Sequence, residues 1–389
     1  MQYNRGGAPA LSRRKRIAFT FLTVFLLALF AEFSLQVFYK LSVGRWLWEW
    51  WAIPIFEADP IRTYRLKSNL DYLHQTREFT ARYRTDGAGM RRAGDKPTPP
   101  VQKSNDTFRI LSLGPSFAFG WGVNYQDSYV YQIAEGLRVP GKRVELINLG
   151  TPSQPISYQL KWLRETGHVY QPDLIVQTIY ADIVATIETN DTLPAIKPTV
   201  RGGFLSSADE MSFAMRWKKM RSYSALLFFG WHVYHAAVSA EKPAPGDGRE
   251  FYRGAEASSS QAAESVLQSY RSYTGFVHQA VTNQPPIVFL FIPMAYVVRP
   301  SDISRVGRGY ENPFDAREKA GLLTSLLNSN GVRMIDPTSV LVESDKKARM
   351  YNLYDIHFTS AGNKIVADYT LPLIQEVVRR REAMRSPTP

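Results

Sequence analysis

A continuous apolar strand that ends in a serine limits the folds open to this chain. Residues Ile110–Asn124 read ILSLGPSFAFGWGVN, an apolar run that enters Gly114, Pro115 and Ser116 and then a small, aromatic-rich turn. A serine set there is exposed at the carboxyl edge of a sheet, where open α/β sheets form their sites. Other segments supply the rest of that sheet. Strands are expected at 108–113, 143–148, 174–180, 287–292 and 332–335, and helical patterns lie near 125–137, 156–166, 313–328 and 360–381. This alternation predicts an α/β fold, a three-layer αβα sandwich around a five-stranded parallel sheet. At 389 residues the chain can bury the large core such a sheet needs.

Far downstream, Tyr354–Asn363 reads YDIHFTSAGN and puts Asp355 and His357 two residues apart, just before a helix. A serine hydroxyl is a weak nucleophile until an imidazole takes its proton, and the imidazole needs a carboxylate to fix its tautomer. Ser116, His357 and Asp355 supply those three groups; the site forms outside the carboxyl ends of the strands, where Ser116, Ser153 and Asp182 would emerge, so distance in sequence does not keep the three groups apart.

At these residues the chain resembles the SGNH/GDSL hydrolase superfamily, and more narrowly its membrane-anchored, polysaccharide-associated branch. Gly114, Ser116, Phe117, Phe119, Gly120, Trp121 and Gly122 match the nucleophile block. Asn148, Leu149, Gly150, Thr151, Pro152 and Ser153 stand at the second block, a PDLIV strand from Pro172 leads to the third, and Asp355 with His357 forms the last. The resemblance covers roughly residues 105–375 and implies a flavodoxin-like sheet. It implies Ser116 as nucleophile, His357 as base and Asp355 as its orienting carboxylate. Oxyanion or substrate contacts would come from Ser153, Gly150 and Asp182.

Three blocks depart from the family pattern. Pro115 replaces the aspartate of G-D-S. Ser153 stands where the second oxyanion donor is usually glycine, and its N–H can serve provided the backbone does not need a positive φ. Counting without gaps puts Asp182 at the position of the asparagine donor, and a one-residue shift puts Ala181 there. An ionised Asp182 would repel an oxyanion, and losing one donor costs about a hundred- to a thousandfold in rate. Two readings follow, a specialised enzyme and a degenerate relative that binds without cleaving.

Five of the twelve net positive charges stand ahead of residue 17, on Arg5, Arg13, Arg14, Lys15 and Arg16. They flank Ile17–Phe38, an apolar run of 22 residues, enough to span a bilayer as a helix. Basic residues on that side predict a cytoplasmic tail and an exported remainder, in the periplasm of a bacterium with this domain tethered to the inner membrane. No small-x-small cleavage site follows the run cleanly, which favours a retained anchor over a removed signal peptide. Trp46, Trp48, Trp50 and Trp51 read as an interfacial belt, and Glu32 is the dissonant residue in the span.

The expected organisation is a basic tail (1–16), the anchor (17–38), a juxtamembrane segment with a short β excursion (39–104), and the hydrolase-like domain (105–389) with an insertion at about 184–286. Gly89, Met90 and Arg91 would form a lip of that domain, the bland alternative being a surface hairpin with solvated arginines. Within the insertion, Met211–Ala237 runs from basic to strongly apolar and aromatic. It reads as a helix that caps the site, lies on the membrane surface or packs on the core; Glu241–Ser260 has a linker's composition.

The chain has no cysteine, which excludes disulfides, thiolate metal sites and a cysteine nucleophile. His232 and His235 could share a helix face but have no further ligand nearby, and His168 and His278 stand alone, so no metal or other cofactor is expected. No basic stripe with interleaved aromatics argues for nucleic acid. The resemblance implies a serine esterase or O-acyltransferase, with acetyl the first candidate, acting on an envelope or exported polysaccharide. Its partners would be that acylated glycan, the membrane and other polysaccharide-biosynthesis proteins. The rival is a subunit that binds glycan or scaffolds an assembly complex.

Overall fold

The computed structural model describes residues 12–43, 46–47, 53–76, 78–94, 98–180, 187, 189–192, 199–201, 204–206, 220, 223–238, 259–281, 283–302, 313–353 and 355–385. Two compact units emerge. Residues Met1–Trp51 and Met211–Ala240 form one, and Ala52–Glu210 with Glu241–Pro389 form the other.

The first unit is built on the helix Arg13–Val43, which is long and apolar enough to cross a membrane. Phe19, Phe21, Phe25, Leu27 and Phe30 are all exposed. Its two polar side chains in this stretch are turned inward: Thr20 and Thr23 donate their hydroxyls to the carbonyls of Arg16 and Phe19, one helical turn back. The helix Ala225–Val238 packs against it through Phe229 on Phe38 and Phe228 on Tyr39, with ring centroids 6.0 and 5.8 Å apart. The apolar insertion helix therefore joins the helix Arg13–Val43, a partner the sequence reading did not include. Of the tryptophan belt only Trp46 falls within the described residues.

The second unit holds a five-stranded parallel sheet: β1 (Thr107–Leu113), β2 (Arg143–Asn148), β3 (Leu174–Tyr180), β4 (Ile287–Ile292) and β5 (Met334–Ile335). Their order across the sheet is β2-β1-β3-β4-β5, the flavodoxin-like winding. The inner strands β1, β3 and β4 are mostly apolar and buried because both faces are covered, while the edge strand β2 carries Arg143 and Glu145. Alternate residues divide between two cores. Phe108, Ile110, Leu174, Val288 and Leu290 pack with Ile133 and Val366, from the helices Tyr129–Gly136 and Ser360–Arg385. On the other face Leu111, Ile175 and Phe289 meet Leu160, Tyr270 and Tyr273, from the helices Ile156–Trp162 and Ser259–Ala280. The expected three layers and five strands are present, β5 being only two residues long.

Two features depart from the sequence reading. The β excursion is two antiparallel hairpins, Phe56–Asp59 with Thr63–Leu66 and Asp71–Gln75 with Thr80–Arg84. Their core includes Phe119, Tyr158 and Trp121, so the hairpins belong to the sheet unit rather than to a juxtamembrane spacer. The second departure lies in the insertion, which contains the helix crossing from β3 to β4. Val266, Leu267, Tyr270, Tyr273 and Val277 recur at helical spacing and bury one face of Ser259–Ala280 on the sheet. Residues 241–258 lie outside the described residues.

Candidate active site

β1 delivers Ser116 to the carboxyl edge through Gly114 and Pro115, and Ser116 opens the one-turn helix Ser116–Phe119. The turn that follows needs glycine at position 120, where φ is +80° and a Cβ would come within 2.7 Å of both Arg91 Nη1 and Ser128 Cβ. His357 comes from the loop ahead of the C-terminal helix. That loop is closed by its own hydrogen bonds: Asn352 N–H donates to the His357 carbonyl at 2.9 Å, and Thr359 N–H to the Met350 carbonyl at 2.9 Å.

Three side chains meet there. Ser116 Oγ lies 2.6 Å from His357 Nε2, and His357 Nδ1 lies 2.5 Å from Asp355 Oδ1. With Nδ1–H donating to Asp355, Nε2 is left as the acceptor for the serine proton. His357 is buried, flanked by Phe117 and Trp121 at centroid distances of 4.8 and 5.5 Å, so its ring has one seat. Burial alone would raise the Asp355 carboxyl. The charge and N–H groups of His357, with the Trp121 indole, outweigh it and hold the pKa at about 2.

Asp355 is itself fastened by residues whose roles the sequence did not disclose. Trp121 Nε1–H donates to Asp355 Oδ2 at 3.1 Å. Glu78, in the turn between two hairpin strands, accepts the Asp355 N–H at 2.9 Å and also the Leu353 N–H. Trp121 belonged to the nucleophile block with no role attached, and nothing local marks Glu78. Behind Trp121, His74 packs edge-on at 5.0 Å and pairs with the Tyr83 hydroxyl at 3.0 Å.

Arg91 overturns the picture of a solvated surface arginine. It is 2% exposed, and its guanidinium donates to the carbonyls of Phe119, Gly120 and Val123, the turn just past Ser116. The rings of Phe119 and Tyr83 cover it at 4.4 and 4.8 Å. Burial lowers its pKa to about 10, which leaves it protonated at neutral pH. Of the expected lip residues, Gly89 takes φ +75° against the Leu66 carbonyl and Met90 is buried.

The other expected site residues fare differently. Gly150 N–H donates to Asn148 Oδ1 at 2.8 Å, and a Cβ there would strike Phe119 N at 2.3 Å. Glycine at 150 thus serves the close approach of two backbones, and its N–H is already engaged. Ser153 adopts φ +60°, the conformation its proviso excluded, and its carbonyl accepts the Tyr64 hydroxyl at 2.7 Å. Among the described residues no hydrogen bond joins Ser153 to Ser116 or His357. Asp182 lies outside the described residues, as do the side chains of His232 and His235. Among the described residues no group of three His, Cys, Asp or Glu could hold a metal ion. A cleft of about 390 Å³ beside Arg82, Arg84, Arg92 and Gln126 contains none of the three meeting side chains.

No family model and no curated relative matches the chain. Among solved structures, a member of the lipolytic G-D-S-L family from Veillonella parvula is 12% identical, with 69% of this chain and 98% of that one covered and a TM-score of 0.36. A carbohydrate acetylesterase from Sinorhizobium meliloti is 13% identical over 72% of this chain and 100% of its own, at a TM-score of 0.34. A catalytic mutant of an acetylxylan esterase from Geobacillus stearothermophilus is 10% identical over 70% and 96%, at 0.35. These likenesses are distant. In its own strand order, with a serine after β1 and an Asp-x-His pair before the last helix, this chain has an SGNH-like fold.

Proposed function

We propose that the sheet unit is a serine esterase or O-acyltransferase working through Ser116, His357 and Asp355. The observation that carries this reading is the unbroken line of contacts from Ser116 Oγ to His357 Nε2 and from Nδ1 to Asp355. As Oγ bonds to the acyl carbon, its proton passes to Nε2; the same proton then goes to the departing sugar oxygen as the ester bond breaks. A water or an acceptor hydroxyl next gives its proton to His357 as it bonds to the acyl carbon, and His357 passes that proton to Ser116 Oγ as the acyl–serine bond breaks. The Ser116 N–H group is the donor this reading offers to the oxyanion. The proposed acyl group is acetyl and the proposed substrate an envelope or exported polysaccharide, both drawn from the sequence resemblance. The helix Arg13–Val43 and its basic flank would tether the domain on the periplasmic side of the inner membrane.

A second reading, a glycan-binding or scaffolding subunit of a polysaccharide assembly, draws support from Gly150, whose N–H is engaged by Asn148. One measurement separates the two. The full chain in detergent is exposed to a fluorophosphonate and its intact mass determined beside Ser116→Ala. The esterase reading expects one adduct, absent from the variant. A folded protein that takes up no adduct would favour the binding subunit.

A further inference from the structure

Glu32 stands inside the apolar anchor, and what it touches gives it a purpose. Its carboxylate accepts the Ala225 N–H at 2.7 Å, the Leu226 N–H at 3.0 Å and the Ser224 hydroxyl at 2.8 Å. Ser224 in turn accepts the Leu227 N–H through Oγ at 3.3 Å and the Phe228 N–H through its carbonyl at 2.9 Å. A helix leaves four N–H groups without an internal partner at its start, and water usually satisfies some of them. Here the N–H groups of Ala225, Leu226 and Leu227 are met by Glu32 and Ser224, and the Phe228 N–H makes the first bond within the helix. Gln36 completes the cluster, donating to Glu32 at 2.8 Å and to the Tyr223 carbonyl at 3.1 Å while only 4% exposed.

The helix so capped is apolar but for two histidines, His232 and His235. Ala225–Val238 reads ALLFFGWHVYHAAV, with no acidic or lysine or arginine side chain. Leu226, Leu227, Val233 and Tyr234 are exposed, Val233 at 69%. A helix without a polar face is at home in a core or in lipid, not in water. Its depth follows from the anchor. At about 1.5 Å per residue Glu32 lies about 24 Å along the helix from Arg16, still within a hydrocarbon layer about 30 Å thick. The contacts advance in the same sense along both helices, Glu32 to Ala225 and then Phe38 to Phe229. The second helix therefore starts below the outer boundary of the hydrocarbon and rises through it, bringing Trp231 and Tyr234 toward the interface that suits them.

We infer that Ala225–Val238 is a second membrane-embedded element, a re-entrant helix whose exposed face takes lipid acyl chains and whose start is sealed by Glu32. This rests on the reading of Arg13–Val43 as a membrane anchor. In hydrocarbon an unmet N–H costs several kcal/mol, which is why the seal must come from the protein itself. The chain would thus grip the bilayer at two places in its sequence, before and within the sheet domain.

The absence of cysteine allows single spin labels without background. Full-length protein in vesicles of phosphatidylethanolamine and phosphatidylglycerol would carry a label at Phe25→Cys, Leu73→Cys, Leu227→Cys or Val233→Cys. Collision with oxygen, which favours lipid, is compared with collision with a water-soluble nickel chelate. Phe25 is the lipid standard and Leu73, exposed on the sheet unit, the aqueous one. The expected result is that Leu227 reads as lipid and Val233 as interfacial, between Leu227 and the Leu73 standard. Aqueous readings at both, or little collision with either reagent, overturn the inference and leave the anchor standing if Phe25 still reads as lipid. An aqueous reading at Phe25 overturns the anchor and the inference with it. Glu32→Ala should move the Leu227 label toward the Leu73 value, with Glu32→Gln intermediate; no movement in either variant refutes the seal.

Discussion

Arg109 and Arg91 are both buried in the sheet unit, and they are held in different ways. Arg109, in β1, has a fully buried side chain whose Nη1 donates to the Val101 and Tyr170 carbonyls and whose Nη2 donates to the Pro100 carbonyl and the Glu145 carboxylate, all at 2.8–2.9 Å. A paired charge closes the sheet there, away from any chemistry. Arg91 donates only to carbonyls and lies among aromatic rings. The difference separates two uses of the same side chain. A guanidinium with a counter-ion fastens two segments; one with a fork of carbonyls dictates the shape of a single turn, here the turn that carries Ser116.

Removing each arginine tests that division. Arg109→Met breaks a buried pair and is expected to cost about 3–5 kcal/mol in denaturant unfolding, while the labelling rate of the remaining folded protein stays as it was. Arg91→Met is expected to lose both stability and labelling rate, because the turn itself relaxes. Equal effects on labelling from the two variants would break the comparison. A third buried charge sharpens it. Asp355 has a folded pKa of about 2 against an ordinary value of 3.8. Because the folded value is the lower, its contribution is complete above about pH 4 and is lost as pH falls toward 2. The contribution is worth about 2 kcal/mol. Acid titration of unfolding in Asp355→Asn should lack that portion of the curve, and a superimposable curve would refute it. The smallest effect concerns Glu78. Glu78→Gln keeps one acceptor oxygen for two N–H donors, so labelling should slow about tenfold, roughly 1.4 kcal/mol in barrier, with the unfolding midpoint little changed.

Much of this was legible before any coordinates. Ser116 announced itself because an apolar strand, a glycine and a small turn are adjacent in sequence, and Asp355 with His357 because two residues of spacing suffice to pair them. The five strands were legible for the same local reason. What escaped depends on distance. Arg91 could be placed in a lip or, as the alternative, in a solvated hairpin, but not against the turn it holds, because its acceptors lie 28 to 32 positions later, in a turn that only folding brings over it. Ser153 could be flagged as a departure, yet its left-handed backbone is decided by Tyr64 and by the docking of a hairpin. Gly150 looked like a donor because it sits in a donor motif, whereas the Asn148 side chain occupies its N–H. The crossover helix Ser259–Ala280 carried a readable periodicity, obscured by the linker-like composition just before it.

Glu78 and Asp355 are joined across 277 residues of chain, and Ser116 and His357 across 241. During synthesis from the amino terminus, the hairpin bearing Glu78 and the strand bearing Ser116 are both made long before the loop that brings the imidazole and its carboxylate. A nascent domain therefore exposes an inert alcohol until its last helix emerges. A chain that has not yet made that loop has no imidazole to take the proton of Ser116.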